Sequence, residues 1–92
     1  MERTIFHLSI PSHDLAMDRA WYERVLGCRP GRCSPVAAIL NLGGHQLVLQ
    51  HITKVNEAEQ PGIYPRHFGL VFDQLSSWEM LRDRMAALAE PF

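Results

Sequence analysis

Ile5–Cys28, IFHLSIPSHDLAMDRAWYERVLGC, is the stretch whose reading decides the fold. Its first part alternates. Phe6, Leu8 and Ile10 fall on one side and Ile5, His7 and Ser9 on the other, the two-residue period of a half-buried strand over Thr4–Ile10. Pro11 has no amide hydrogen to give a ladder and is expected to end that strand. Ser12 or Asp14 then offers a side-chain oxygen to the free amide hydrogens of a helix's first turn. Within Leu15–Leu26, Met17, Ala20, Trp21, Val25 and Leu26 recur at helical spacing, and Asp18, Arg19, Glu23 and Arg24 are expected toward water. Gly27 follows, where a helix commonly ends on a left-handed residue.

Working outward, residues 28–36 (CRPGRCSPV) are rich in Pro and Gly and read as an irregular edge strand. Ala37–Leu42 and Gln46–Ile52 read as better strands joined by Gly43-Gly44, a dipeptide suited to the positive φ of a tight hairpin. Thr53–Pro65 is polar, contains Pro61-Gly62, and reads as a loop. His67–Phe72 alternates again, Phe68, Leu70 and Phe72 against His67, Gly69 and Val71. Ser76 with Glu79 has the spacing of a capping box, and Trp78, Leu81, Met85 and Leu88 form an amphipathic stripe reaching about Ala89. The order is β-α-β-β-β, loop, β-α. The expected class is α+β with a mixed sheet, in a single domain. A βαβββ module occupies about 1–52, a linker 53–65 and an incomplete second β-α module 66–92.

Composition limits what such a chain does. Ninety-two residues have room for one small core, and 47% hydrophobic residues with a net charge of −1 exclude a disordered chain. That balance supplies no basic field for nucleic acid or an anionic membrane. No apolar run approaches the roughly 20 residues that span a bilayer, and Glu2, Arg3, His7 and Ser9 interrupt any secretory signal, so a cytoplasmic location is expected. Cys28 and Cys33 are too few for a disulfide framework and miss the C-x-x-C spacing, which leaves them as reduced thiols.

The alternation also sorts candidate site residues. If Phe6, Leu8 and Ile10, Leu47 and Leu49, and Phe68, Leu70 and Phe72 face the helices, then His7, Gln46, Val48, Gln50 and His67 share the opposite face. Two neutral imidazoles suit Fe²⁺, Mn²⁺, Zn²⁺, Ni²⁺ or Co²⁺. A histidine in an alternating strand must face one side or the other, however, and a lone inward one is more often a hydrogen-bonded cleft residue than a ligand. Tyr22 either closes the rim of the open face or packs beside the sheet. Arg66 and Arg3 either meet an anionic substrate at the rim or stay solvated. His13 and His45 are expected in water, His51 in a structural place, and Trp21 and Trp78 in the core. No nucleophile-elbow motif and no phosphate-cradling glycine loop is present, and no catalytic residue is assigned.

Taken together these segments resemble the glyoxalase/bleomycin-resistance/extradiol dioxygenase superfamily, the vicinal oxygen chelate fold. The resemblance is carried by His7, Asp14, Trp21-Tyr22-Glu23 and Leu26-Gly27, then by AAILNLGGHQLVLQ (37–50) and RHFGLVFDQL (66–75), in the family's order. It implies paired βαβββ modules whose sheets enclose a cup, here a half-cup with helices on its outer face, and a divalent metal at the bottom. By position His7 and His67 match the first two metal ligands, with Gln50, and after it Gln46, as the fourth-strand ligand. Fe²⁺ or Mn²⁺ is favoured, with Zn²⁺, Ni²⁺ or Co²⁺ as alternatives. Tyr22, Val48 and Arg66 would touch a small oxygen-chelating substrate. The family's last glutamate ligand would lie beyond Phe92. A longer native chain, a partner chain supplying the strand, or a member without metal would each account for that. Two functions are therefore expected: a metal-dependent enzyme, dioxygenase-like before glyoxalase- or epimerase-like, and alternatively a non-enzymatic antibiotic-type binding protein without metal. The exposed sheet edges point to a homodimer.

Overall fold

The computed structural model describes residues 4–53 and 67–89. The chain divides into two compact units, Met1–Thr53 and Lys54–Phe92. In the first, β1 (His7–Ser12), α1 (Leu15–Leu26), β2 (Arg29–Cys33), β3 (Ala37–Leu42) and β4 (His45–His51) follow one another. The sheet order is β1-β4-β3-β2, with β1 parallel to β4 and the other neighbours antiparallel. This is the expected βαβββ arrangement and a mixed sheet that does not close on itself.

Several boundaries differ from expectation, each for a local reason. Pro11 does not end β1 but lies inside it. The backbone N–H of Gln46 donates to Phe6 O at 2.8 Å and that of Ile52 to Ser12 O at 2.9 Å. With the parallel register between them, residues 8, 10 and 12 bond β4, while His7, Ser9 and Pro11 turn their backbone groups to the sheet's free edge. The missing proline hydrogen is therefore never required. Of the two candidate caps, Asp14 is the N-cap of α1 and accepts from Met17 N at 3.0 Å. Ser12 is instead buried at the end of β1, where its Oγ donates to Asp18 Oδ2 at 2.6 Å. The inward face of α1 also differs. Leu15, Tyr22 and Leu26 pack against the core and Val25 is fully buried, whereas Met17, about 200° around the helix from Leu15, is exposed.

Gly43 and Gly44 take φ values of 59° and 88°, and the hairpin they make sets Leu42 opposite His45 and Asn41 opposite Gln46. The core of this unit is Cys28, Ala38, Leu40, Leu47 and Leu49, flanked by Leu8, Ile10, Leu15, Tyr22, Leu26 and Leu42. Each large side chain removed from water there contributes about 2 kcal/mol. Both cysteines are free, Cys28 buried and Cys33 exposed.

In the second unit α2 runs Leu75–Leu88. The strand expected at His67–Phe72 is not formed: these residues carry no strand, and Phe68, Leu70 and Val71 are exposed. Alternation prepares a segment for a ladder, but a strand also needs a partner, and among the described residues none pairs with it. The capping box at Ser76 and Glu79 is absent as well. Gln74 is the N-cap, which places Ser76 inside the first turn, and no side chain caps the helix. No described helix is long and apolar enough to cross a membrane.

Candidate functional site: the open face of the sheet

The register of the first unit lays its side chains out in rows. His7 pairs with Gln46, Gln46 with Asn41, and Asn41 with Arg29, so one row across all four strands carries an imidazole, two carboxamides and a guanidinium. The next row is Ser9, Val48 and Ile39, and the next Pro11, Gln50 and Ala37. These odd and even positions lie on the face opposite Leu8, Leu47, Ala38 and Leu40, which pack beneath α1. The face expected to hold His7, Gln46, Val48 and Gln50 therefore does hold all four.

The row is hydrogen-bonded. His7 Nδ1 lies 2.9 Å from Gln46 Oε1. The amide oxygen only accepts, so Nδ1 is the donor of this bond and Nε2 points away from Gln46. Asn41 Oδ1 accepts from the backbone N–H of Gly44 at 3.0 Å, inside the hairpin. Each carboxamide oxygen thus accepts one hydrogen bond and keeps a second lone pair, while the amide N–H groups of Asn41 and Gln46 add donors to the row. Val48 is buried in the second row, 6% exposed. An open groove of about 600 Å³ runs over this end of the face, lined by Arg29, Pro30, Gly31, Arg32, Ile39, Leu40, Asn41 and Gln46.

The remaining predicted residues lie elsewhere. Gln50 stands opposite Pro11, four residues along β4 from Gln46, which is about 13 Å at strand rise. Gln46, and not Gln50, is therefore the glutamine beside His7. Tyr22 packs beside the sheet under α1, its ring 5.1 Å edge-on from that of Trp21. With Trp21, Asp18, Ile10, Pro11 and Leu49 it lines a separate cavity of about 300 Å³ on the helix side. Burial, reinforced by Asp18 and then Cys28, pushes the Tyr22 phenol above its ordinary range. Burial, with Glu23 behind it, also raises the Cys28 thiol. His67 is exposed in the second unit. Arg3 and Arg66 lie outside the described residues. His13 and His51 are exposed, and His45, also exposed, accepts at Nδ1 from Phe6 N at 2.9 Å.

A divalent ion needs three or more lone-pair donors converging on one point, carboxylates among them for the harder ions. The open face offers one imidazole nitrogen, the carboxamide oxygens of Asn41, Gln46 and Gln50, of which the first two already accept a hydrogen bond, and guanidinium groups. Among the described residues no three His, Cys, Asp or Glu side chains converge. The donor set described on this face does not fit such a metal. Arg29, Arg32 and Asn41 are the site residues that the sequence reading missed. The two-residue hairpin already contained the signal for Asn41, because a Gly43-Gly44 turn fixes Asn41 opposite Gln46.

No family model matches the sequence, and no curated protein does. Solved structures do. A glyoxalase/bleomycin resistance protein/dioxygenase from Alicyclobacillus acidocaldarius is 31% identical, with a TM-score of 0.85 over 97% of this chain and 66% of that one. The chain therefore spans slightly under two thirds of that protein's length. Lactoylglutathione lyase from Agrobacterium tumefaciens is 20% identical, with a TM-score of 0.68 over 98% of this chain and 73% of that one. A mutant of the FosX fosfomycin resistance protein from Listeria monocytogenes, complexed with Mn(II) and dihydroxypropylphosphonic acid, is 15% identical, with a TM-score of 0.69 over 99% of this chain and 71% of that one. At such identities the last two speak to the fold alone.

Proposed function

We propose, starting from a chain that has the fold of the glyoxalase/bleomycin resistance/dioxygenase superfamily, that its open sheet face binds a small, oxygen-rich molecule through hydrogen-bond donors and without a metal of its own. The observation that carries this reading is the row from His7 through Gln46 and Asn41 to Arg29, which sets two carboxamide N–H groups and a guanidinium side by side. A row weighted toward donors in this way favours a ligand rich in acceptors. Buried Val48 beside Ile39 supplies an apolar floor next to it, the usual mixture in a small-molecule site. A chain working this way is a binding or sequestering protein, and a homodimer in the cytoplasm goes with it.

The test is a small-molecule screen read by amide and imidazole resonances of the whole chain. Shifts that collect on His7, Ile39, Asn41, Gln46 and Val48 support the proposal. Shifts that collect instead around Asp18, Trp21 and Leu49 move the site to the helix-side cavity and refute it.

A second reading, a metal-dependent enzyme of dioxygenase type, is favoured by the free Nε2 of His7 and by the Mn(II) in the FosX relative. There His7 and His67 would be the first ligands, with Fe²⁺ or Mn²⁺ as the ion. Tyr22, Gln50 and Arg66 have parts only in that reading. Spectroscopic titration with Mn²⁺ separates the two: relaxation broadening centred on both His7 and His67 selects the enzyme, and broadening spread over acidic surface residues rejects it.

A further inference from the structure

We infer that the β2 end of the open face is an oxyanion subsite in which Arg29 and Arg32 hold a phosphonate, phosphate or carboxylate group of the ligand. The inference rests on the binding reading above and names the chemistry of the part of the ligand lying farthest from His7. It starts from an irregularity in β2. Pro30 pairs with Leu40 and Cys33 with Ala38, so Gly31 and Arg32 together oppose the single residue Ile39. In an uninterrupted strand Arg29 and Arg32 would point to opposite faces. The extra residue restores Arg32 to the face of Arg29 and returns Cys33 to the helix side, where its Sγ lies 3.3 Å from Arg19 Nη1. Gly31 permits the irregularity, because a Cβ there would sit 2.8 Å from Ile39 O.

Three further observations agree. Arg29 and Arg32 both line the groove of about 600 Å³, together with Asn41 and Gln46. That lining contains no carboxylate, and among the described residues neither arginine has an ion-pair partner. The amides of Asn41 and Gln46, whose oxygens each already accept one hydrogen bond, add N–H donors to the same lining. Donors of which two are cationic match an anion with several acceptor oxygens, and a planar fork fits carboxylate or phosphate in a bidentate way. Two guanidinium groups with no carboxylate beside them disfavour a cation in this lining.

The test is a titration of the full chain with methylphosphonate and, in parallel, acetate, followed by backbone amide and arginine Nε–H resonances. Saturable shifts are expected at Gly31, Asn41, Arg29 and Arg32, with Kd on the order of millimolar for so small a probe. Arg29→Gln and Arg32→Gln are each expected to weaken binding about threefold or more and the pair about tenfold or more, while Arg24→Gln, which removes an equal charge from α1, changes it less than about twofold. Tighter binding of methylphosphonate than of acetate assigns a tetrahedral oxyanion, and equal binding assigns oxyanions in general; either supports the inference. Absence of saturable shifts, shifts that survive both arginine variants, or an equal loss in Arg24→Gln overturns it. If the anion fails while neutral molecules still shift His7 and Gln46, only the subsite is lost. If both fail, the binding reading falls with it.

Discussion

The two helices of this chain begin from similar sequence signals and reach different states. α1 and α2 each carry an amphipathic stripe, a tryptophan and a small polar residue near the first turn. α1 is capped by Asp14, ends on Gly27 at a φ of 70°, and buries Val25 completely. α2 has no side-chain cap and no buried residue, and Leu75, Trp78 and Met80 are exposed. α1 covers a four-stranded sheet within its own unit, whereas no strand is described in the unit of α2. Most of a helix's stability in a protein comes from the face it packs, and propensity with capping adds only a fraction. The difference shows that a stripe records a helix's capacity for burial, and that the neighbouring strands determine whether the capacity is used.

The strongest way to break this comparison is to delete equivalent bulk from the two regions. Leu40→Ala, at a fully buried position, is expected to cost about 3 kcal/mol by urea denaturation, and Leu81→Ala in α2 less than about 1 kcal/mol. Equal losses would mean that α2 is packed as firmly as the sheet that α1 covers. Capping gives a smaller contrast. Asp14→Ala should cost about 1 kcal/mol, because Met17 N loses its acceptor, while Ser76→Ala should stay within about 0.5 kcal/mol because Ser76 caps nothing. A substantial loss in Ser76→Ala would restore the capping box.

The smallest effect depends on pH and belongs to the first unit alone. The Tyr22 phenol and the Cys28 thiol are both raised in the folded chain, chiefly by burial. Both hold their protons more firmly folded than unfolded. Their contribution is therefore complete below the ordinary thiol and phenol values and is lost as pH rises through the raised ones. The urea midpoint is expected to fall on the alkaline side, and Tyr22→Phe combined with Cys28→Ser to flatten that fall. A fall of unchanged steepness in the double variant would assign it to other groups.

Where the elements depend on neighbours close in sequence, the chain was readable. Helix α1 matches its expected span, Leu15–Leu26, and the Gly43-Gly44 hairpin forms as expected. The shared face of His7, Gln46, Val48 and Gln50 followed from alternation alone. Pro11 was misread because its effect depends on strand order: on the free edge of β1 a missing N–H costs nothing, and order is a long-range property. The strand expected at His67–Phe72 failed for a related reason, since alternation says nothing about whether a pairing partner exists. Arg32 was hidden by a bulge that no residue pattern announces, although Gly31 beside it was a hint. Gln46 displaced Gln50 as the glutamine beside His7 because register, which the two-residue period leaves undetermined, selects between them.

On the reading proposed above, the open face is a donor-lined binding surface and not a metal site. Equilibrium dialysis of the full chain against Mn²⁺, with metal content measured in the wild type, His7→Ala and His67→Ala, tests it most directly. Only binding weaker than roughly millimolar, unchanged by either substitution, is expected. One equivalent retained at about micromolar Mn²⁺ and lost in both variants would contradict it.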